Sequence, residues 1–259
     1  MSDYFLSDVH LREDRPERGR RLLRFLGRLD PAADRLIIAG DLCDFWMGSR
    51  TPPDRLARDE ALAALAGFRR AGGALSILAG NHDHWLMDFY ADALGAQIVP
   101  EPMDVESHGV RLRVVHGHLL GARKRWKGVM ESRGFFRAFG TLPGFVAGPL
   151  DAALQAKNRR GLLDDERRHL ATYRDYAAGL PDAVDVAVFG HVHRAVDQPG
   201  RPRLIVLGGW QDRLSFLKVD HSGPTLHVEG GDADDIPARA PDAPSHASAP
   251  TGDATTSTP

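Results

Sequence analysis

Metal-binding and proton-carrying side chains recur at the ends of apolar runs in this sequence. The stretch LAGNHDHWL, residues 78 to 86, places an asparagine, two histidines and an aspartate directly after the run ALSIL. Other apolar runs are followed by SDVH, GDLCD, VHGH and GHVH, whose candidate ligands are Asp8, His10, Asp41, His116, His191 and His193. One such block is common in ordinary loops, but five of them after apolar runs predict a shared site for metal ions.

The spacing within these blocks suits ligands that converge. In an extended segment, residues two apart point to the same side, so Asp8 with His10 can aim two ligands into one space. His191 with His193 has the same spacing. A glycine stands just before several of these candidates, Asp41 among them, where a missing side chain lets the backbone turn tightly and approach an ion. Ligand sites in open α/β sheets lie outside the carboxyl ends of the strands, where we expect all five blocks to meet.

Hydrophobic patterning predicts the elements that position these residues. YFLSD, RLIIAG and ALSILAG read as buried strands, separated by amphipathic helices in RPERGRRLLRFLGRL and DRLARDEALAALAGFRRAG. Asp14 with Glu17 resembles a capping box at the first helix start, and Gly72 with Gly73 closes the second helix. This β-α-β-α-β order predicts an α/β protein with a largely parallel sheet. After RLRVVHG, the runs VDVAVFG, RLIVLGG, LSFLKVD and PTLHVEG predict a second, more antiparallel sheet.

Length and composition limit the class of protein. With 259 residues, of which 42% are hydrophobic and 26% charged, the chain can bury one substantial core. A formal charge of -2 supplies no global basic field, so we expect no nucleic-acid partner. The single cysteine, Cys43, cannot form an internal disulfide, and no apolar stretch approaches a spanning helix, so we expect a cytoplasmic protein. Residues 230–259 have no apolar periodicity and predict a disordered tail.

Taken in order, the five blocks resemble the signature of the calcineurin-like metallophosphoesterases. The matching motifs are Asp8-x-His10, Gly40-Asp41-x-x-Asp44, Gly80-Asn81-His82-Asp83, Val115-His116-Gly117-His118 and Gly190-His191-x-His193. The resemblance covers residues 3 to about 220 and implies a four-layer αββα sandwich, in which two mixed β-sheets are flanked by helices. It implies one metallophosphoesterase domain, residues 1–229, with a dinuclear metal site at the sheet edge.

Carried over to this sequence, the family's pattern implies two divalent ions and a set of ligands. One ion would be held by Asp8, His10, Asp41 and His193, and the other by Asp41, Asn81, His116 and His191. Oxygen and imidazole ligands without thiolate suit manganese, iron or zinc, and the resemblance favours manganese. Such a pair of ions activates water near neutral pH, and its net charge of about +2 with two carboxylate ligands attracts an anionic phosphate ester.

The third block also supplies the expected catalytic residues. His82 either donates a proton to the leaving oxygen or donates a hydrogen bond to the phosphate. Asp83 is expected to orient His82. His84 lies outside the motif, and we expect it to have a surface or packing role.

FLSDVHL, GDLCDFW, GNHDHWL and VLGGW more narrowly resemble the UDP-2,3-diacylglucosamine hydrolases of lipid A biosynthesis. That resemblance implies cleavage of the substrate pyrophosphate by water to UMP and 2,3-diacylglucosamine 1-phosphate. Two departures bear on the substrate, because the best-known branch has arginine where His82 stands and commonly aspartate where His118 stands. Action on another phosphodiester or phosphomonoester, or a metal-binding scaffold without catalysis, are the alternatives.

The insertion at residues 119–183 is where that family builds a helical lid over the acyl chains. Here it contains RGFFRAFGTLPGFVAGPL, whose Phe136 and Phe139 are candidate acyl contacts, although an ordinary helix packed on the core explains the same pattern. Just before this apolar stretch, and still within the insertion, stands a basic cluster that could bind pyrophosphate or lipid headgroups, or form a solvated face: Arg123, Lys124, Arg125, Trp126 and Lys127. These features predict peripheral contact with the cytoplasmic face of the inner membrane.

Overall fold

A computed structural model describes residues 1–44, 59–121, 166–211 and 213–229. A six-stranded sheet has the order β11-β10-β1-β2-β3-β4. Its strands are β1 (Asp3–Leu6), β2 (Arg35–Ala39), β3 (Ala74–Leu78), β4 (Gln97–Val99), β10 (Leu214–Asp220) and β11 (Gly223–Glu229). Strands β1 to β4 run parallel, as the β-α-β-α-β pattern predicts. β10 pairs antiparallel with β1, and β11 pairs antiparallel with β10.

A five-stranded sheet has the order β5-β6-β7-β9-β8. Its strands are β5 (Met103–Ser107), β6 (Val110–Val115), β7 (Val186–Phe189), β8 (Val196–Gln198) and β9 (Arg203–Val206). The central pairs β6–β7 and β7–β9 are parallel, and the outer pairs are antiparallel. The predicted grouping of the late strands is therefore wrong in one respect, because β10 and β11 extend the first sheet.

Within the described residues, four helices cover the outer faces of the two sheets. They are α1 (Pro16–Leu26), α2 (Glu60–Arg70), α3 (Met87–Leu94) and α4 (166–178), with a 3-10 turn at His84–Leu86. Asp59 caps α2, since its side chain accepts from the amides of Ala61 and Leu62. The capping box predicted for α1 is wrong: the helix N-cap is Arg15 without a side-chain cap, and Asp14 pairs with Arg12 instead.

In the described part of the chain, three apolar clusters define the layers. One lies between the first sheet and helices α1 to α3, and contains Leu6, Leu22, Phe25 and Ile38. A second fills the space between the sheets, with residues such as Phe5, Ile37, Val114 and Val188. The third joins the second sheet to α4 through Tyr173, Ala187 and Phe189. Alternating side chains of β1 and β7 thus enter different clusters, as the two-residue period of a strand requires, and the predicted αββα sandwich is confirmed.

Most of the predicted lid insertion and all of the predicted tail lie outside the described residues. The basic cluster at residues 123–127, Phe136 and Phe139 fall in the same undescribed part of the chain. Within the described ranges, no helix has the length and apolar character needed to cross a membrane.

Candidate metal centre

The predicted ligands all lie in loops at the carboxyl ends of strands, where both sheets meet the same space. Asp8 and His10 follow β1, Asp41 follows β2, and Asn81 follows β3. His116 follows β6, and His191 and His193 follow β7 in the second sheet. The amide of His10 donates to the carbonyl of Asp41 at 3.0 Å, so the loops after β1 and β2 are joined by their backbones.

Four of the predicted ligands have a left-handed backbone. The φ angles are 54° at Asp8, 51° at His10, 55° at Asp41 and 63° at His191. Non-glycine residues adopt this region infrequently, and such residues concentrate where the surrounding structure holds a functional side chain in place. Their clustering around one space indicates that the local fold is organised around these side chains.

Asp8, His10 and His193 form one group of potential ligand atoms. The Nε2 atoms of His10 and His193 lie 3.1 Å apart. They lie 3.7 and 3.6 Å respectively from Oδ1 of Asp8. That oxygen is buried and has no hydrogen-bond partner, whereas Oδ2 accepts from the amide of His191 at 2.8 Å. A buried carboxylate oxygen without a donor, facing two imidazole nitrogens, fits a cation, which would satisfy it.

Asp41, His116 and His191 form a second group, with ligand atoms within 4.8 Å of one another. Nε2 of His116 lies 3.3 Å from Oδ1 of Asn81, which adds the predicted amide ligand to this group. Oδ2 of Asp41 lies 3.4 Å from Nε2 of His116 and 3.9 Å from Nε2 of His10. Asp41 therefore faces both groups, in the position that a bridging ligand requires.

Hydrogen bonds outside these groups orient the imidazole rings. Nδ1 of His116 lies 2.8 Å from the carbonyl of Ala39 and donates to it, which leaves Nε2 as the nitrogen that faces Asn81 and Asp41. The side-chain amide of Gln211 lies 2.8 Å from Nδ1 of His193. Such partners fix the tautomer and direction of a histidine ligand.

Close backbone approaches also shape the site. A Cβ on Gly80 would lie 2.0 Å from Oδ1 of Asp41, and a Cβ on Gly40 would lie 2.5 Å from Nδ1 of His116. Gly40 also has φ of 89°. Glycine is therefore required at both positions, as expected for residues that directly precede ligands.

The structure places His82 beside Asp44. Nδ1 of His82 lies 3.0 Å from Oδ1 of Asp44, and the His82 amide donates to Oδ1 of Asp41 at 2.8 Å. The ring meets that of His10 edge to face at 4.8 Å, so one ring nitrogen also falls near the ligand atoms of His10 and Asp41. Burial alone lowers the pKa of His82, but the carboxylates of Asp41 and Asp44 raise it to about 9.

Asp83, the predicted orienting partner of His82, is held by other groups in the structure. Its fully buried carboxylate accepts from the amides of Leu42 at 2.7 Å and Gly80 at 3.0 Å, and from the hydroxyl of Tyr90 at 3.1 Å. Burial, together with the charge of Asp41, raises the pKa of Asp83 to about 6. Asp83 thus joins the loops after β2 and β3, because backbone amides of both loops donate to it.

The histidine ligands have different proton affinities. Burial, assisted by the charge of His10, lowers the pKa of His193 to about 4. Burial and the nearby His116 lower the pKa of His191 well below its ordinary value. For His116, burial acts in the same direction, but Asp41 outweighs it and raises the pKa to about 10. Because a histidine must be neutral to bind a metal, ion binding requires His116 to release a proton at neutral pH.

Sequence reasoning gave no role to several residues around this centre. Asp44 belongs to the second block, but its contact with His82 depends on how two loops fold together. His118 and His169 bring further imidazole rings to within 6.3 and 4.9 Å of the His191 ring. The second histidine of VHGH is His118, whereas His169 lies on α4 with no motif around it.

Comparison with known proteins agrees with this arrangement. The family model for calcineurin-like phosphoesterases matches residues 4–195. The chain therefore belongs to the calcineurin-like phosphoesterase family, and it is an enzyme of the hydrolase class with side chains placed to hold divalent metal ions.

Two curated relatives and one solved structure extend the comparison. A UDP-2,3-diacylglucosamine hydrolase of Stenotrophomonas maltophilia (strain R551-3) is 32% identical, over 87% of this chain and 98% of its own length. A protein of the same name from Aeromonas salmonicida (strain A449) is 32% identical over 84% of this chain and 89% of its own. A solved archaeal phosphodiesterase aligns with a TM-score of 0.45 at 15% identity, covering 88% of this chain and 100% of that one.

Proposed function

We propose that this protein is a metal-dependent pyrophosphatase that cleaves UDP-2,3-diacylglucosamine to UMP and 2,3-diacylglucosamine 1-phosphate in lipid A biosynthesis. The phosphoester chemistry rests on one observation, the convergence of carboxylate, amide and imidazole ligands from five loops around Asp41. The choice of substrate rests on the curated relatives, which match the chain along most of its length.

The proposed ligand set assigns Asp8, His10, Asp41 and His193 to one ion and Asp41, Asn81, His116 and His191 to the other. When bound, the two ions would supply an activated water near neutral pH and positive charge against the phosphoryl oxygens. Manganese is the proposed metal, since the ligands are oxygen and imidazole atoms, and iron and zinc suit the same set.

His82 supplies the remaining chemistry in this proposal. Water attacks the phosphorus on the uridine side, and the bond to the oxygen of the sugar phosphate breaks. Asp44 holds the His82 ring through Nδ1, so that the ring donates to the phosphate or to the departing oxygen. The buried carboxylate of Asp83 keeps the loops that carry Asp41 and His82 in register.

The lipid portion of the substrate is assigned to the insertion at residues 119–183. Arg123, Lys124, Arg125, Trp126 and Lys127 are the proposed contacts for the pyrophosphate or for anionic headgroups, and Phe136 and Phe139 for the acyl chains. We place the protein in the cytoplasm with peripheral contact to the inner membrane surface. A polybasic and apolar surface binds such a membrane without spanning it.

The proposal is tested by comparing manganese-dependent turnover of three substrates by the full chain: UDP-2,3-diacylglucosamine, bis(4-nitrophenyl) phosphate and DNA. We expect the lipid nucleotide to be cleaved with the highest kcat/KM, and UMP to appear in equal amount with the sugar phosphate. The Asp41→Asn variant is the matched negative control. Robust cleavage of the aryl diester or DNA without cleavage of the lipid nucleotide would remove the substrate assignment and keep the phosphoesterase class.

A further inference from the structure

Arg12 continues the row of contacts that starts at His82. Nη1 of Arg12 lies 3.1 Å from Oδ2 of Asp44, whose other oxygen lies 3.0 Å from Nδ1 of His82. The side chains of Arg12 and Asp44 are 8% and 12% exposed, so water competes weakly for these contacts. The two oxygens of Asp44 thus face two different partners, and together these partners define the rotation of the carboxylate.

The guanidinium of Arg12 is itself held on its other side. Nε donates to Oδ1 of Asp14 at 2.7 Å, and Nη2 donates to Oδ2 at 3.3 Å. The backbone of Asp44 is fixed as well, because its amide donates to the carbonyl of Leu11 at 3.1 Å. A planar guanidinium that spans two carboxylates has a defined direction, which an ammonium on a flexible stem lacks.

These contacts argue against a direct role of Arg12 in holding the substrate. Nε and Nη2 of Arg12 face Asp14, Nη1 faces Asp44, and little of the side chain reaches solvent. An ordinary surface ion pair is also a poor description, since one partner, Asp44, contacts the ring that lies against the metal ligands. The pair of Arg12 with Asp14, which is 61% exposed, matches that description better.

We propose that Arg12 is a positioning residue for phosphoester cleavage, which acts through Asp44 on the direction of the His82 ring. The proposal rests on the proposed phosphoesterase function and is independent of the lipid substrate. Without Arg12, the carboxylate of Asp44 can rotate, and its outer oxygen loses a charged donor in a mostly buried place.

The test is a double-mutant cycle with bis(4-nitrophenyl) phosphate and manganese. Arg12→Met should lower kcat by about tenfold with KM within about twofold, the scale on which outer partners of metal-site residues act. In the Asp44→Asn background the same change should cost less than about twofold, since the route through the carboxylate is already lost. Arg12→Lys should recover only part of kcat, because lysine restores the positive charge but lacks the planar set of guanidinium donors.

Arg20→Met serves as the matched control, because it removes an exposed arginine of α1 by the same substitution. It should keep kcat within about twofold of the parent chain, since an exposed charge contributes little. Thermal unfolding and metal content of every variant are measured alongside, so that a loss of fold is separated from a loss of rate.

A second readout keeps the inference testable apart from turnover. The imidazole ¹⁵N resonance of His82 Nδ1 should report a hydrogen bond to Asp44 in the parent chain and a weakened one in Arg12→Met. An equal kcat penalty in both backgrounds, a loss confined to KM, or an unchanged His82 resonance would overturn the positioning role. Absence of cleavage by the parent chain with an intact resonance response would count against the proposed function and leave the Arg12 contact standing.

Discussion

At the scale of single residues, several structural constraints meet at Asp41. Its backbone is left-handed, with φ of 55°, and its side chain is 1% exposed. One oxygen accepts from the amide of His82, and the other faces His10 and His116. Burial raises its pKa, yet the surrounding histidines, His116 first, lower it well below the ordinary value. Asp41 is therefore charged at neutral pH, which suits its proposed role as a ligand shared by two cations.

Asp41→Asn should separate the charge of this residue from its shape. Asparagine tolerates the left-handed region, so the fold should persist. Activity should fall by at least about 100-fold, since even outer partners of metal ligands change activity on this scale. The effect is measured as the rate of bis(4-nitrophenyl) phosphate cleavage and as the amount of bound metal. Asp88→Asn, at an exposed position, is the control. Full activity in Asp41→Asn would refute the bridging role.

Metal binding should release a proton from His116. Asp41 raises the pKa of His116 to about 10, above its ordinary value, so His116 carries a proton at pH 7 and must lose it to bind an ion. The apparent metal affinity should therefore rise with pH up to about pH 10 and fall in acid. Calorimetric titration of the metal-free protein with manganese, in two buffers of different ionisation enthalpy, counts the protons. A heat that is independent of the buffer would contradict this assignment.

Single residues also show which parts of the site could not be predicted from the sequence. Asp8, His10 and Asp41 were identifiable because they stand in dense blocks after apolar runs. The aspartate that contacts His82 was not identifiable, since Asp83 is adjacent to His82 in sequence while Asp44 is adjacent to it in space. The carboxylate of Asp83 accepts hydrogen bonds from backbone amides of two loops. The positions of backbone amides in loops cannot be read from the pattern of side chains.

At the scale of elements, strands with both faces covered were the most predictable. β2 has the pattern LIIA in its buried part, because its side chains enter two different apolar clusters. The short edge strands β4 and β8, with three residues each, have no such run and were not identified. β5 and α3 were also missed, since β5 alternates exposed acidic residues with buried ones and α3 begins directly after a 3-10 turn.

The turn after β3 provides a test at this scale. Gly80→Ala would put a Cβ 2.0 Å from Oδ1 of Asp41, so we expect the loop to shift, metal binding to weaken and stability to fall by about 1 to 3 kcal/mol. Gly67→Ala is the matched control on α2, where the added Cβ would make only an ordinary contact, 3.9 Å from the guanidinium of Arg70, and it should stabilise the protein by about 0.5 to 1 kcal/mol. Chemical denaturation and metal content measure both. Equal stability of the two variants would count against the tight approach at Gly80.

At the scale of the whole molecule, the proposed metal centre joins the two sheets. Asp8, Asp41 and Asn81 come from loops of the six-stranded sheet, and His116 and His191 from loops of the five-stranded sheet. The apolar cluster between the sheets holds them together below the site. Ions bound by ligands from both sheets would join the sheets at their common edge. The αββα class followed from the motifs, whereas the assignment of β10 and β11 to the first sheet depends on long-range pairing that local patterning does not encode.

This link predicts that metal stabilises the fold as a whole. Ions that bind only the folded chain add about 2.7 kcal/mol when their concentration is 100 times Kd, so a chelator should lower Tm by about 5 to 10 °C. The Asp41→Asn variant should lose most of this shift, because it binds the ions poorly. Thermal unfolding with manganese and with a chelator measures it, and an unchanged Tm in the parent chain would contradict the cross-sheet link.

The most direct test of the central claim is a count of bound metal against activity. The metal-free full chain is titrated with manganese, bound metal is determined after equilibrium dialysis, and turnover of bis(4-nitrophenyl) phosphate is followed in parallel. We predict saturation at two ions per chain, with full activity reached only at the second. Saturation at one ion, or full activity in the metal-free chain, would contradict a dinuclear centre built on Asp41.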